Sequence, residues 1–379
     1  MNKLGFGFMR LPLTNPDDQI SIDTAQVEKM VDCFRAAGFT YFDTAWMYHD
    51  FMSESALGKA VVARFPRDSF TVASKMPVAM LRSHEEGVEI FASQKRKLGV
   101  DFFDYYLVHD MNVANYENAK KYDMISWLRA RKEAGEIRSL GFSCHDNAEY
   151  LDRVLTECPF FEFVQLQINY LDWDSEGVQS RKCYEVCVKH GKPVFVMEPV
   201  KGGTLANVPE DVEKLLRACH PDWTPASWAL RFAASLPNVR IVLSGMSTLR
   251  QVEENTALMS EMEALNVEEL DVLKRAAAMI RGSIAIPCTG CRYCVEESQC
   301  PKKIPIPSYF ALYNTEKLRE RADWSPEKEY YANFLKQGRG RASDCIACRK
   351  CERVCPQHIP ISDWMKQVKV VMEDENYML

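Results

Sequence analysis

No stretch of the 379 residues is dominated by Lys or Arg, and the net charge is −6. The sequence therefore offers neither the basic stripe that follows a nucleic-acid backbone nor a polybasic membrane anchor. Uninterrupted apolar runs long enough to cross a bilayer are also missing. The opening Met1-Asn2-Lys3-Leu4-Gly5-Phe6-Gly7 enters structure at once, without the apolar core and cleavage site of a secretory signal. Gly and Pro are not in excess, and the 47% hydrophobic and 26% charged residues are ordinary for a globular protein. These absences leave a cytoplasmic protein, with no nucleic acid or membrane among its partners, and a chain long enough for two domains.

Cysteine breaks the ordinary pattern. Of 14 in the chain, six are scattered (Cys33, Cys144, Cys158, Cys183, Cys187, Cys219), and eight crowd between Cys288 and Cys355. Crowded thiols without a secretion signal point to metal binding rather than to a disulfide framework.

Up to about residue 282 the pattern alternates short apolar strands with longer amphipathic helices. Strands are expected near 4–9, 39–44, 70–75, 104–109, 138–143, 163–168, 194–198 and 240–244. Segments such as Phe163-Val164-Gln165-Leu166-Gln167-Ile168 are nearly continuously apolar, as in strands buried on both faces of a parallel sheet. Between the first two strands Val27, Met30, Val31 and Phe34 recur at helical spacing, and Gly38 stands at the natural stop. The last helix opens at Asn266 with Glu269 three residues on, a capping-box pattern, and closes near Gly282. Eight strands with intervening helices in this length match a (β/α)8 TIM barrel. The rival, a doubly wound open sheet, usually carries a Gly-x-Gly-x-x-Gly turn after an early strand, and Leu4-Gly5-Phe6-Gly7-Phe8 is not that turn.

Near 283–287 the periodicity stops and Pro becomes dense (Pro287, Pro301, Pro305, Pro307). This sets two expected domains, a barrel over 1–282 and a small α-helical domain over 283–379. The latter holds two cysteine blocks around a charged, mostly helical segment at about 308–338. The second block, Cys345-x-x-Cys348-x-x-Cys351-x-x-x-Cys355-Pro356, is the bacterial ferredoxin run. The first, Cys288-x-x-Cys291-x-x-Cys294-x5-Cys300-Pro301, has two extra residues before its last cysteine. Three thiolates on one tight loop hold three corners of a 4Fe–4S cube, and in ferredoxins the cysteine before proline ligates the other cluster. The expected sets are Cys288, Cys291, Cys294 with Cys355, and Cys345, Cys348, Cys351 with Cys300. Structural zinc is the alternative, but zinc sites usually pair two Cys-x-x-Cys knuckles or add His, which two triplets followed by Cys-Pro match poorly.

The stretch Phe42-Asp43-Thr44-Ala45-Trp46-Met47-Tyr48-His49 falls at the end of the second strand. Lys75 ends the third, in Val72-Ala73-Ser74-Lys75, and His109 ends the fourth, in Tyr105-Tyr106-Leu107-Val108-His109. Barrel enzymes keep their chemistry on this face. The physical logic is that a carbonyl receiving hydride develops charge on oxygen and needs a proton, and a phenol with pKa near 10 is a poor acid at neutrality. A neighbouring ammonium lowers that pKa, and a buried carboxylate keeps the ammonium charged. Taken singly, Tyr48 is also readable as a rim aromatic, Lys75–Asp43 as a structural ion pair and His109 as a satisfied polar group.

With an Asp and a Tyr five residues apart, then a Lys and a His at the next two strand ends, residues 3–258 resemble the aldo-keto reductases. The resemblance implies Tyr48 as proton donor, Lys75 and Asp43 as its tuners, and His109 as a guide for the carbonyl oxygen. It implies NADP(H) or NAD(H) as cofactor, with Ser143 (in Gly141-Phe142-Ser143) and Gln165 on the nicotinamide carboxamide. Cys144 stands where the family usually has Asn, and Met197 where a ring-stacking Tyr is common. Ser244-Gly245-Met246-Ser247, with Glu254 and Asn255 beyond, resembles the phosphate-holding loop, whose backbone N–H groups can face a phosphate. Gly245 and Gln251 replace the basic residues expected for a 2′-phosphate, leaving Arg250 as the nearest cation. Barrel plus ferredoxin-like domain resembles the ferredoxin-fused branch of the family.

The expected function is carbonyl reduction, or alcohol oxidation, on a small molecule. Hydride carries two electrons and a 4Fe–4S centre passes one. Two further readings follow: FMN held by the barrel phosphate loop, coupling substrate to the clusters, or a ferredoxin-like domain that only scaffolds or docks a redox partner protein.

Overall fold

The structure, a computed structural model, describes residues 3–175, 178–283, 285–317, 328, 331–332, 334–335 and 338–373. Eight parallel strands close into a barrel in sequence order: β1 (Leu4–Gly7), β2 (Tyr41–Asp43), β3 (Thr71–Met76), β4 (Phe103–Met111), β5 (Ile137–Cys144), β6 (Val164–Gln167), β7 (Val194–Met197) and β8 (Val239–Gly245). All eight expected strands are present, and β1 pairs with β8 to complete the ring (Phe6 opposite Ser244).

The helix Thr24–Ala36 shows how sequence spacing becomes packing. Asp23 caps it by accepting from the Gln26 N–H, and Val27, Met30, Val31 and Phe34 form its buried stripe. Phe34 meets Phe6 and Phe42, with ring centroids at 5.5 and 5.4 Å. Burying a side chain of that size contributes about 1.5–3 kcal/mol, so this cluster holds the helix against β1 and β2. The last barrel-type helix, Val267–Ser283, is capped reciprocally, the Asn266 N–H donating to Glu269 at 2.7 Å and the Glu269 N–H to Asn266 at 3.0 Å.

The chain divides into two compact units. One contains 1–200 and 226–270, and the other 201–225 and 271–379. The second unit has its own core, in which Ile286, Ile304, Tyr309, Phe310, Ile359 and Met365 are buried. Of the expected 308–338 segment, a helix covers Ile306–Lys317, and most of 318–337 lies outside the described residues. The helix Ile361–Met372 follows the second cysteine block. No helix of the described residues is long and apolar enough to cross a membrane.

Candidate active site and cluster cysteines

Side chains two apart on a strand share a face. Tyr41, Ala73, Leu107 and Phe163 pack with Phe195, Ile241 and Leu243 as one apolar cluster. Two residues onward the same strand faces carry Asp43, Lys75 and His109 toward the C-terminal ends, and Gln165 within β6. The strand period thus lays a polar tier on an apolar one.

Asp43 and Lys75 are buried and joined. The Lys75 ammonium donates to Asp43 Oδ1 at 2.6 Å and to the Thr44 carbonyl oxygen at 2.7 Å, with side-chain exposures of 0% for Lys75 and 4% for Asp43. Burial lowers the Lys75 pKa, and the Asp43 and Glu54 charges work against that loss. The ammonium lies 5.1 Å from the centre of the Tyr48 ring, and the His109 imidazole meets the same ring edge-on at 6.1 Å. Burial, then the charges of Lys75 and His145, push His109 well below its ordinary value, which leaves it neutral at pH 7. The four side chains expected to act together do converge.

A second polar tier behind Lys75 escaped the sequence reading. Gln94 donates to Glu54 at 2.7 Å and to the Lys75 carbonyl oxygen at 2.9 Å, Ser74 donates to Glu54 at 2.6 Å, and the Tyr106 hydroxyl donates to Gln94. Glu54, itself buried, adds a second carboxylate acting on Lys75. Asp110, beside His109, was also missed. Burial raises its carboxyl to about 7, although Asn112 and Asn115 donate to it at 3.3 and 3.1 Å. His49, assigned no role, is structural: the Leu11 N–H donates to its Nε2, and its Nδ1 meets the Gln19 carbonyl oxygen, both at 3.1 Å.

The residues expected to hold a nicotinamide carboxamide fit one. Ser143 is buried and its hydroxyl oxygen accepts from the Asp110 N–H at 2.8 Å, leaving its proton to donate. Gln165 Oε1 is buried without a hydrogen-bond donor, while its Nε2 reaches the Met197 sulfur at 3.5 Å. An unpaired buried acceptor costs about 1–3 kcal/mol, a cost an amide N–H from a ligand removes. At the loop after β8, Asn255 donates to Ser244 at 3.2 Å, Ser247 donates to the Arg10 carbonyl oxygen at 2.6 Å, and Met246 is buried. The Gln251 side chain accepts from the N–H groups of Ser247 and Thr248 at 2.7 and 3.2 Å. Arg250 is paired with Glu254 at 2.7 Å on the surface. Arg10, not singled out by sequence, packs along Gly245, where an added Cβ would lie 3.4 Å from three of its side-chain carbons.

In the second unit, Cys294 belongs to the buried core, with Cys288, Cys300, Cys345, Cys351 and Cys355 packed against it. Burial and then the charges of Cys291, Cys288, Cys355 and Cys351 hold the Cys294 thiol far above its usual range. Cys351 is pushed up to about 12 by burial, the Glu352 charge, and then Cys345 and Cys300. Cys355 thus acts on the first triplet, and Cys300 on the second. Three of the sulfurs interacting with Cys294 are those expected to share its cluster. Among the described residues no group of three or more His, Cys, Asp or Glu is arranged to hold a single metal ion. A cube asks for a different spacing, because each of its four thiolates binds a different iron.

A closed parallel barrel with its polar tier at the strand ends defines the architectural class, and the sequence comparison gives the family. The chain belongs to the Aldo/keto reductase family, whose pattern matches residues 3–277. A 4Fe-4S dicluster domain matches residues 287–359. The chain is 27% identical to L-galactose dehydrogenase of Arabidopsis thaliana over 298 residues, 69% of this chain and 86% of that protein. It is 23% identical to the NADH-specific methylglyoxal reductase of Escherichia coli over 300 residues, 67% of this chain and 86% of that one. Solved structures of similar fold include an aldo-keto reductase from Bacillus halodurans in its holo form (23% identity, TM-score 0.56, 72% of this chain and 91% of that chain). Another is an aldo-keto reductase from Klebsiella pneumoniae in complex with NADPH (21% identity, TM-score 0.55, 72% and 90%).

Proposed function

We propose that the barrel interconverts a carbonyl and an alcohol on a small molecule with a nicotinamide dinucleotide, and that the second unit carries two 4Fe–4S clusters. The observation that carries the first half is the buried Lys75–Asp43 pair beneath the Tyr48 ring, with neutral His109 at its edge. The nicotinamide, when bound, supplies or takes up the hydride, and each cluster, when bound, holds or passes one electron. In the reducing direction Tyr48 gives its phenolic proton to the carbonyl oxygen. Lys75 stabilises the phenolate left behind, and Asp43 keeps Lys75 charged. His109 donates a ring N–H to the same oxygen, which orients the carbonyl. Ser143 and Gln165 hold the carboxamide, and the Ser244–Asn255 region faces the phosphates.

The cluster sets are Cys288, Cys291, Cys294 with Cys355, and Cys345, Cys348, Cys351 with Cys300, supported by the interactions of Cys294 and Cys351 with these partners. A reducing compartment, the cytoplasm, suits eight such thiolates. Single-electron centres beside hydride chemistry also favour a second reading, in which FMN or a redox partner protein divides electron pairs. Flavin released on denaturing anaerobically purified protein separates that reading from the first.

The test of the leading reading is Tyr48→Phe, which keeps the ring and removes the proton. Turnover of a carbonyl from a panel that includes methylglyoxal and hexoses falls by about 10²–10⁴, while nicotinamide affinity stays near wild type. Full activity in this variant would discard Tyr48 as the acid.

A further inference from the structure

Lys201 is a buried cation for which the proposed hydride chemistry has no use. Its exposure is 1%, and its ammonium donates to Gln357 Oε1 at 2.9 Å. Gln357 lies two residues past Cys355. The next residue, Gly202, has φ +62°, and a Cβ there would run into the Thr289 carbonyl oxygen, inside the Cys288-x-x-Cys291 loop. Within the second unit, the 201–203 turn is therefore pressed onto the first cysteine loop, and Lys201 reaches the residue two past the cysteine expected to complete that loop's cluster. Burial pushes the Cys355 thiol up, and the nearby backbone N–H groups of residues 357–359 and the Lys201 charge oppose that effect. The other set is differently placed: Cys351 feels the Glu352 carboxylate, and Cys348 is exposed.

Resting on the cluster assignment above, we propose that Lys201 is a positioning and tuning residue that raises the reduction potential of the cluster held by Cys288, Cys291, Cys294 and Cys355. Reduction adds one electron and one negative charge, and a buried ammonium held two residues from a ligand cysteine favours the more negative state. Net charge and hydrogen bonds to the sulfurs are among the main determinants of such potentials. At an effective dielectric constant of about 20, a full charge shifts a one-electron equilibrium by about tenfold even from roughly 12 Å away, which is about 59 mV, so a tenfold shift is the least expected.

The experiment is an anaerobic redox titration followed by electron paramagnetic resonance, with iron and sulfide counted in every sample. Cys355→Ser identifies the wave of this cluster as the one it removes. Lys201→Met lowers that wave by at least about tenfold in equilibrium constant, about 59 mV, and leaves the other wave in place. Lys201→Arg keeps the wild-type position. Lys201→Gln, which retains a hydrogen-bonding group without the charge, shows the same drop and serves if the Met variant does not fold. An unmoved wave in Met or Gln variants with full cluster content overturns the role of Lys201. Wild-type protein without iron and sulfide overturns the cluster assignment instead.

Discussion

Lys75→Met separates the structural part of the Lys75–Asp43 pair from its chemical part. Met keeps much of the volume and removes the charge. Asp43 is then a carboxylate buried at 4% side-chain exposure, its Oδ1 stripped of the 2.6 Å bond and its Oδ2 already without a donor. Breaking one partner of such a pair costs about 3–5 kcal/mol, a large share of the roughly 5–15 kcal/mol that holds a domain together. The urea midpoint therefore falls clearly. Adding Asp43→Leu removes the orphaned carboxylate and recovers most of the loss, since apolar replacement of a buried pair is often neutral. Turnover behaves otherwise: it drops by about 10²–10⁴ in the single variant and stays down in the double one, because the phenol has lost its ammonium. The assay pairs urea unfolding, followed by tryptophan fluorescence, with steady-state kinetics on the carbonyl turned over fastest. A double variant that regains turnover along with stability would refute the reasoning and reduce the pair to scaffolding.

Cys355→Ser is expected to damage the cluster of Cys288, Cys291 and Cys294 and to spare that of its sequence neighbours, read by iron and sulfide counts falling from about eight toward four of each per chain. Gly202→Ala drives a methyl into the Thr289 carbonyl oxygen at a positive φ, so the same cluster is lost first, measured by metal analysis, while barrel circular dichroism is retained. Asp110 gives a pH signature. Its folded value of about 7 stands above the ordinary 3.8, so its contribution to stability is full below the ordinary value and is lost as pH rises through about 7. The gain in Tm from Asp110→Asn over wild type accordingly grows between pH 4 and pH 8 and then levels off, and a pH-independent gain would contradict the assignment.

The eight strands were legible because each is a short, nearly continuous apolar run, and the helix Val267–Ser283 because Asn266 and Glu269 mark its start locally. Asp43, Lys75 and His109 were legible for a related reason, since each stands where an apolar run ends, and Tyr48 by its spacing of five residues from Asp43. Glu54, Ser74, Gln94 and Tyr106 were not. They lie on four separate segments and look like ordinary helix and strand residues until the barrel closes and stacks them behind Lys75. Arg10 was hidden because β1 and β8 become neighbours only through ring closure, which sets it against Gly245. Lys201 carried no local sign of burial. A loop lysine beside two glycines reads as solvated, and only the approach of the turn to the Cys288 loop, which Gly202 permits, takes it out of water.

The membership of segment 201–225 in the second unit has a practical meaning for anyone cutting this chain. A fragment beginning at 283 would carry all eight cluster cysteines and still lack the turn that presses on Thr289 and the ammonium that reaches Gln357. A barrel ending at 282 would keep that turn and lose what it packs on. A cut at 282 thus falls inside the second unit rather than at its edge. An excised ferredoxin-like half grafted onto another enzyme would carry the cysteines proposed as cluster ligands but not the ammonium proposed to tune one of the clusters.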